Sequence, residues 1–474
     1  MAKIEIKNLN LGGIADSDYL GAENSVAEAV GLDIHSEAGL IKVNQKLTKD
    51  SGSVVDDFVK ASVSCSDGNT YHFGSTNGKV FKRASNGTWT NEATVAPAAG
   101  AVGVLGAAEY QGYIYYAMQS RLGRWQIGTA WSTRNDSWAT FTNTDADFHP
   151  MKIVNLVLYI GDKNYVAQVD AGTFSANALD IAAPLRIKSL GKISTDLLIG
   201  TYVADNVTST EIIRWNTWSV SFSVSDTIPE VGVNCFLDTD NNIIVNAGTK
   251  GNLYLYNGSS LEEYKTVKGV YTGTKKAWVH PNASFNFNGM PLFGFSNVSG
   301  NPANQGVYSL ARTNRNYPFI LNLEYAISTG NLSGVDIGTI TPISSDQFLV
   351  SWKDTTGGTT YGIDVLDLSN KASVAYFITR VIMAARTELL NYGLVHAAYR
   401  LLPTGTSIEI RKKVNADTSF GSAITSVTDS KRMVQSTKVD ISDATRAQVK
   451  INLVATGNDA PELEMAEINV NNGQ

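Results

Sequence analysis

The sequence has few charged residues, very few cysteines and histidines, and no long apolar run. Only 17% of its 474 residues are charged, below the roughly 25% of an average globular domain. Its 38 basic and 44 acidic residues give a net charge of −6. A slightly acidic chain lacks the basic surface typical of nucleic-acid-binding domains, and no segment approaches the ~20 apolar residues of a membrane helix. We therefore expect neither specific nucleic-acid binding nor membrane insertion.

Residues that carry covalent or metal chemistry are scarce. Cys65 and Cys235 are the two cysteines and lie far apart in the sequence, which favours buried, reduced thiols over a disulfide framework. The five histidines are isolated, so each is expected to occupy a hydrogen-bonded turn or core position. The segment that starts at Asp238 resembles a calcium loop, but it has Ile243 and Thr249 where that loop needs Gly and Glu. We predict no catalytic, cofactor-binding or metal-ligating residues, and no cofactor.

A weak internal repeat is the main feature of what the sequence does contain. Each copy has a turn rich in Gly or Asn followed by an alternating strand, and the copies recur every 40 to 56 residues. A four-stranded propeller blade needs a similar length, ~40–50 residues. A second strand, which ends in a small residue, precedes most copies. The strands that define the repeat begin at Val80, Trp125, Val166, Ile213, Leu253, Val307 and Ile363.

This repeat predicts an all-β fold with a β-propeller of about seven blades over residues 53–380. Six or eight blades, or a pair of β-sandwiches with evenly spaced hairpins, are the alternatives. Residues 1–52 have poor periodicity and are expected to form an extended N-terminal arm. Residues 381–474 are expected to form a connector, with a short helix at 383–390, and a small antiparallel β-sandwich. Basic clusters at Arg411–Lys413 and Lys431–Arg432 are interpreted as its solvated face, and a surface for an anionic partner is the alternative.

Three segments resemble the Asp boxes of sialidase-like propellers but lack a box aspartate or glycine: Ser85–Trp89, Asn135–Trp138 and Asn216–Trp218. We interpret them as turns followed by a tryptophan that packs within a blade. Some aromatic residues could either stack on sugars or pack within blades, and the sequence does not separate the two uses: Trp125, Trp131, Tyr254, Tyr256, Tyr308 and Tyr317. A carbohydrate-binding or glycoside-cleaving propeller is therefore the alternative function, although glycoside hydrolysis needs a carboxylate pair that the sequence does not nominate.

Both ends of the chain resemble tail proteins of tailed bacteriophages. The resemblance rests on the segment Gly31–Leu40, on Arg446–Ile451, and on the ending Gly457–Glu464 followed by a last strand. It implies a non-enzymatic structural protein of the nozzle or tail-tip type, although nozzle proteins are usually longer than this chain.

The resemblance also implies partners and a location. We expect an oligomeric ring of this chain in the virion tail, in contact with other tail proteins and with host-surface glycan as a further partner. The first residues alternate apolar and charged side chains and do not predict a signal peptide. Assembly in the host cytoplasm is therefore expected.

Overall fold

The computed structural model describes residues 2–95, 103–204, 208–239, 242–267, 277–296, 305–384, 389–428 and 433–472. The chain divides into two compact units. The repeat unit comprises Lys49–Gln305 and Asn331–Val365, and the terminal unit comprises Met1–Thr48, Gly306–Gly330 and Leu366–Gln474. The described structure is almost entirely β, as the composition and the alternating segments predict. None of the helices in this part of the chain has the length and apolarity that a membrane span requires.

The first 49 residues contain five short strands and one helical turn. They are β1 (Ala2–Ile6), α1 (Leu9–Gly12), β2 (Val26–Val30), β3 (Leu32–Asp33), β4 (Lys42–Val43) and β5 (Gln45–Lys49). β3 and β4 pair with each other over only two residues, whereas β1 and β2 pair with strands distant in sequence, so the segment leaves little local hairpin pattern. The extended arm predicted for residues 1–52 thus contains strands that belong to sheets, and β1 pairs along its whole length with the last strand of the chain.

Five antiparallel sheets follow, and each is built from four strands consecutive in sequence. The first contains β6 (Val59–Ser64), β7 (Thr70–Gly74), β8 (Lys79–Arg83) and β9 (Trp89–Thr94), and the second β10 (Gly106–Tyr110), β11 (Tyr113–Ala117), β12 (Arg121–Gln126) and β13 (Asn135–Thr140). The third contains β14 (Met151–Val154), β15 (Val157–Asp162), β16 (Tyr165–Asp170) and β17 (Thr173–Asp180). The fourth contains β18 (Arg186–Ile193), β19 (Asp196–Tyr202), β20 (Thr210–Trp215) and β21 (Val224–Ile228). The fifth contains β22 (Val233–Asp238), β23 (Ile243–Ala247), β24 (Asn252–Tyr256) and β25 (Leu261–Thr266).

The repeat unit continues with a hairpin and a three-stranded meander. The hairpin is β26 (Trp278–Phe287) and β27 (Met290–Ser296). The chain then enters the terminal unit as the hairpin β28 (Gly306–Ala311) and β29 (Ile320–Tyr325). It returns as β30 (Val335–Pro342), β31 (Phe348–Asp354) and β32 (Thr360–Lys371). The seven strands that the sequence repeat predicts are β8, β12, β16, β20, β24, β28 and β32.

The first strands of the successive sheets form a closed series within the repeat unit. Neighbours in this series, which we call the inner strands, contact one another in the order β6, β10, β14, β18, β22, β26 and β30, and β30 contacts β6. The start of the unit also binds its end, because the backbone N–H of Asp50 donates to Ile363 O at 2.9 Å. Ile363 N–H donates in turn to Ser51 Oγ at 3.0 Å. Antiparallel meanders whose first strands form a closed series are the arrangement of a propeller-like fold, and five of the meanders here have four strands.

Small residues recur on the second strands of these sheets, at or beyond the midpoint of each strand. They are Gly74, Ala117, Gly161, Gly200, Ala247, Gly294 and Ser351. A Cβ built on Gly161 would lie 2.6 Å from Ile187 Cγ2 on the next inner strand, and one on Gly200 would lie 2.7 Å from Val233 Cγ1. Ser351 Oγ donates to Val59 O on β6 at 2.8 Å. Close packing between neighbouring sheets therefore limits the size of these side chains.

The terminal unit contains two sheets built from both ends of the chain. Its last strands are β33 (Val374–Thr379), β34 (Ile382–Met383), β35 (Leu390–Tyr399), β36 (Ser407–Val414), β37 (Thr425–Val427), β38 (Val434–Ala444), β39 (Arg446–Val454) and β40 (Leu463–Asn472). One sheet has the order β1-β40-β35-β38, and the other includes β28-β29-β2-β33-β39-β36-β37, with β34 paired to β39. β2 runs parallel to β29 and antiparallel to β33.

The two units do not follow the three predicted ranges 1–52, 53–380 and 381–474. Strands from residues 1–48 and 306–330 complete the sheets of the terminal unit, and such long-range pairings leave no trace in local periodicity. The helix predicted at 383–390 is also wrong at both of its ends, where the structure has strands: Met383 ends β34 and Leu390 begins β35. Its middle, residues 385–388, lies outside the described residues.

Candidate functional site

Among the described residues, the repeat unit carries a group of highly exposed apolar side chains, which we call the apolar patch. Its members are Leu156, Trp218 and Val220, which are 84%, 86% and 96% exposed. Isolated exposed apolar residues are ordinary, but a rigidly presented group of them marks an interaction site. The contacts around the patch show how it is presented.

Leu156 lies in a two-residue turn between β14 and β15. Asn155 and Leu156 both have positive φ, 50° and 65°, as a type I′ hairpin turn requires. Asparagine tolerates this conformation, but a bulky leucine there costs about 1 kcal/mol. Tyr110 fixes the turn because its hydroxyl donates to Leu156 O at 2.7 Å. The chain thus holds a large apolar side chain in solvent on a strained backbone.

The loop after β20 presents the other two side chains. Asn216 Oδ1 accepts hydrogen bonds from the backbone N–H of Trp218 at 3.2 Å and of Ser219 at 3.0 Å. Trp215 Nε1 donates to Ser219 O at 2.8 Å and anchors the loop to the core. Asn155 Nδ2 reaches Thr217 Oγ1 at 3.3 Å, which joins the loop to the Leu156 turn. A hydrogen bond therefore joins the loop that carries Trp218 and Val220 to the turn that carries Leu156.

The predicted role of Trp218 is wrong. Trp89 and Trp138 are half-buried, as expected for tryptophans that pack within a blade; Trp89 Nε1 donates to Asp50 Oδ2 at 2.9 Å, and Trp138 packs against Tyr115 at 5.3 Å. Trp218 instead points into solvent because Asn216 turns the chain just before it. The sequence feature that could have indicated this exposure is the turn-forming Asn216, which precedes Trp218 with no strand after it. The presence of a tryptophan alone does not indicate whether it is exposed.

The predicted sugar-stacking aromatics do not form a surface. Five of the six are buried, and Tyr317 is half-buried. Trp125 and Trp131 stack on each other at 4.4 Å within the core. Tyr254 and Tyr256 donate to the carboxylates of Glu230 and Asp226. The aromatic residues that were candidates for carbohydrate contact therefore pack within the sheets.

The terminal unit contains a serine, a histidine and a carboxylate in contact. His35 Nε2 lies 3.0 Å from Ser309 Oγ and 3.3 Å from Glu324 Oε1, and the Ser309 hydroxyl donates to Glu324 at 2.6 Å. In a catalytic triad the carboxylate binds the other imidazole nitrogen, whereas His35 Nδ1 has no hydrogen-bond partner among the described residues. Ser309 and Glu324 are also inaccessible to solvent. We interpret this cluster as a structural network.

That network explains the segment Gly31–Leu40, which carries the resemblance to tail proteins. Asp33 Oδ1 accepts from the backbone N–H of His35 and Ser36 at 3.1 and 3.0 Å. Asn10 Nδ2 donates to Ile34 O at 2.7 Å. The segment is therefore held by its own turn and by buried polar contacts, and its residues serve the fold of the terminal unit.

Two other histidines occupy the core, as predicted. His72 bonds Ser62 at 2.8 Å and Thr70 at 3.0 Å, and burial lowers its pKa to about 3. His149 Nδ1 lies 2.7 Å from Gly161 O, and burial lowers its pKa as well. Burial raises the pKa of Cys65 and raises that of Cys235 to about 12, so both thiols are protonated at neutral pH.

The calcium-like segment and the two basic clusters add little evidence for a functional site. Asp238 ends β22, whereas residues 240 and 241 of the calcium-like loop lie outside the described residues, as do Lys431 and Arg432. Within the ranges given above, no group of three or more metal-ligating side chains occurs. Arg411 pairs with Glu409 at 2.8 Å, and Lys413 lies over the Phe420 ring. These contacts agree with a solvated sheet face.

Comparison with known proteins gives no family. No family model matches the chain, and no curated protein does. Among solved structures, the extracellular domain of a putative one-component system from B. thetaiotaomicron is 13% identical with a TM-score of 0.46, and the match covers 76% of this chain but only 44% of that one. The RRP9 WD40 repeats match 68% of this chain and 99% of theirs at 11% identity and a TM-score of 0.46.

An exo-β-1,3-galactanase from Phanerochaete chrysosporium matches 99% of this chain and all of its own at 9% identity, with a TM-score of 0.31. The first of these neighbours is more than twice as long as the part that this chain covers. Similarities this low support no statement about activity, substrate or partner.

Proposed function

We propose that the protein is a non-enzymatic structural component of a tailed-phage virion, located at the tail as a nozzle, tail-tip or fibre-attachment part. The observation that carries the proposal is the apolar patch of Leu156, Trp218 and Val220, held in solvent at a conformational cost. Such a surface is suited to permanent contact with another protein, because assembled interfaces bury apolar anchors at their centres. The resemblance of both chain ends to tail proteins supplies the class of partner.

We also propose a fold of seven blades for the repeat unit. The inner strands β6, β10, β14, β18, β22, β26 and β30 form a closed series, and seven first strands correspond to seven blades. A rigid ring of this kind is a suitable part of a symmetric assembly. We expect the chain to oligomerise into a ring, to contact other tail proteins through the patch, and to assemble in the host cytoplasm.

The first test is the particle itself. Mass spectrometry of purified particles from a host that carries the gene should detect the chain in fixed stoichiometry with capsid and tail proteins. The flanking genes should encode a portal, a capsid protein or a tail tube. Particles that infect normally and lack the chain would refute the proposal, and so would flanking genes for sugar transport or metabolism.

The second test concerns the patch. A chain with Trp218→Ser and Val220→Thr should fold, because neither side chain is packed in the core, but it should fail to enter particles in a complementation assay. Leu401→Ser is the matched control, since Leu401 is 67% exposed in the terminal unit and lies outside the patch. Normal incorporation of the double variant into particles would show that assembly does not require the patch.

Carbohydrate binding or cleavage is the second candidate function, and the exposed indole of Trp218 favours it. The two functions differ in which replacement they tolerate. A sugar stacks on an aromatic face, so Trp218→Phe would preserve binding and Trp218→Leu would abolish it. A protein partner can bury either an aromatic or an aliphatic side chain, so the Trp218→Leu variant should still be incorporated into particles to a large extent.

A further inference from the structure

Three basic side chains converge inside the closed series of inner strands. They are Lys60 on β6, Lys188 on β18 and His280 on β26, and we call them the axial cluster. β18 and β26 are not neighbours in the series, yet both side chains approach the Phe148 ring. Lys188 Nζ lies 5.4 Å from the centroid of that ring, and the His280 ring lies 6.5 Å from it. Residues from separate sheets can meet in this way only towards the axis of the series.

Lys60 lies on the same side of His280. Asn282 Nδ2, two residues along β26, donates to the backbone O of Lys60 at 2.7 Å. Burial, together with the charges of Lys60 and Lys188, holds the pKa of His280 well below its ordinary value. The cluster at neutral pH therefore contains two ammonium groups and a neutral imidazole.

Lys188 lacks a carboxylate partner among the described residues, whereas the charges of Asp57 and Asp336 act on Lys60. Lys188 Nζ donates to the amide oxygen Asn234 Oδ1 at 2.6 Å, and neither lysine forms an ion pair with a carboxylate of the described residues. Burial lowers the pKa of Lys60 and lowers that of Lys188 to about 8. The half-buried charge of Lys188, which has an amide oxygen but no carboxylate beside it, is unfavourable, so a bound anion would stabilise it.

The surroundings of the cluster restrict the anion. Lys188 Nζ is 5.9 Å from the Trp278 ring as well as 5.4 Å from Phe148, so two half-buried aromatic rings lie beside it. The carboxylates of Asp57 and Asp336 and the ammonium group of Lys353 also act on Lys60, and the negative charge of the two carboxylates disfavours a dianion. Aromatic rings beside a charged group are suited to a sugar ring that carries one carboxylate.

We propose that the axial cluster binds a sugar acid such as a hexuronate. The carboxylate accepts hydrogen bonds from the ammonium groups of Lys188 and Lys60, the apolar face of the sugar lies against Phe148 or Trp278, and the neutral imidazole of His280 bonds a hydroxyl group. This inference does not depend on the virion proposal, because it concerns different residues and can be tested on the purified chain.

The test is calorimetric titration of the full chain with D-glucuronate, D-glucose, acetate and inorganic phosphate at constant ionic strength and pH 7. Glucuronate should bind more tightly than each of the other three. Lys188→Met should weaken it about tenfold or more, as expected for loss of a charge-assisted hydrogen bond. Lys250→Met is the matched control, since Lys250 is exposed, and it should bind like the wild type.

A pH series distinguishes a ligand contact from a structural role. Lys188 loses its charge as the pH rises through about 8, while the carboxylate stays ionised and His280 and Cys235 nearby keep their neutral forms. Affinity for glucuronate should therefore fall several-fold between pH 7 and 9.5, and Lys188→Arg should reduce that fall to the part contributed by Lys60, whose pKa is also lowered by burial. Equal binding of acetate, phosphate and glucuronate would indicate an anion site without sugar recognition and overturn the proposal. Absence of glucuronate binding, or binding unchanged in Lys188→Met, would overturn it too.

Discussion

Gly161→Ala should destabilise the repeat unit, because the methyl group has no space at the junction of two sheets. The new Cβ would lie 2.6 Å from Ile187 Cγ2 and 3.0 Å from Pro150 Cγ, well inside carbon–carbon contact distance. Ile187 cannot turn away easily, since a β-branched side chain is stiff at χ1 and Ile187 is fully buried. Overpacking of this kind costs about 1–3 kcal/mol. Urea unfolding followed by tryptophan fluorescence should show a lower midpoint.

A double-mutant cycle tests the cause. Ile187→Ala alone should cost about 2–5 kcal/mol by leaving a cavity, and the Gly161 methyl group would then occupy part of that cavity. The double variant should therefore be at least about 1 kcal/mol more stable than the sum of the single effects predicts. Gly421→Ala is the control, because Gly421 is exposed and its Cβ meets nothing closer than 3.9 Å. An unchanged Gly161→Ala variant, or strict additivity in the cycle, would refute the packing argument.

Four further predictions concern single positions. Leu156→Gly should stabilise the chain by up to about 1 kcal/mol in urea unfolding, because glycine accepts positive φ; a loss of stability would contradict the strain argument. Glu324→Ala should lower the free energy of unfolding by about 3 kcal/mol, since it removes the acceptor of the buried donors of Asn322 and Ser309. Glu324→Gln keeps an acceptor and should lower the free energy of unfolding less. Equal losses in the two variants would argue against the network. Cys235 should resist a thiol reagent at pH 8 until the chain unfolds, because burial raises its pKa to about 12; rapid labelling of the folded chain would be the contrary result. The pKa of Lys188 is about 8 in the folded chain and 10.5 ordinarily, so between these pH values the unfolded chain holds a proton that the folded chain has lost. The free energy of unfolding should therefore rise with pH over that range relative to Lys188→Met, and parallel curves for the two proteins would refute the assignment.

The repeat could be predicted because its signal is local. Val80, Trp125 and Val166 each begin or continue an alternating strand after a turn, and each lies in the third strand of its sheet. Period-two alternation and turn residues depend on neighbours in sequence. The pairing of β1 with β40 depends instead on residues at opposite ends of the chain, and no local pattern encodes it.

The candidate site was harder to predict for a related reason. Trp218 and Trp138 follow similar Asn-containing turns, yet Trp218 is exposed and Trp138 packs against Tyr115. The difference arises from the direction in which each loop leaves its strand. Lys60 and Lys188 look like ordinary strand lysines in the sequence, and only the closure of the inner strands directs them towards each other. Exposure and convergence are properties of the tertiary structure.

The small residues on the second strands explain why the repeat is weak at the level of sequence. Gly161, Gly200 and Ser351 share their small size, because the next inner strand approaches too closely for a larger side chain. The strands around them must bury apolar area on both faces, but Val, Ile, Leu, Phe and Tyr serve that need equally well. Selection by volume and burial preserves the geometry of each sheet while the identities change. A repeat defined in this way is recognised by the spacing of strands and small residues, and blade-to-blade sequence identity is a poor guide to it.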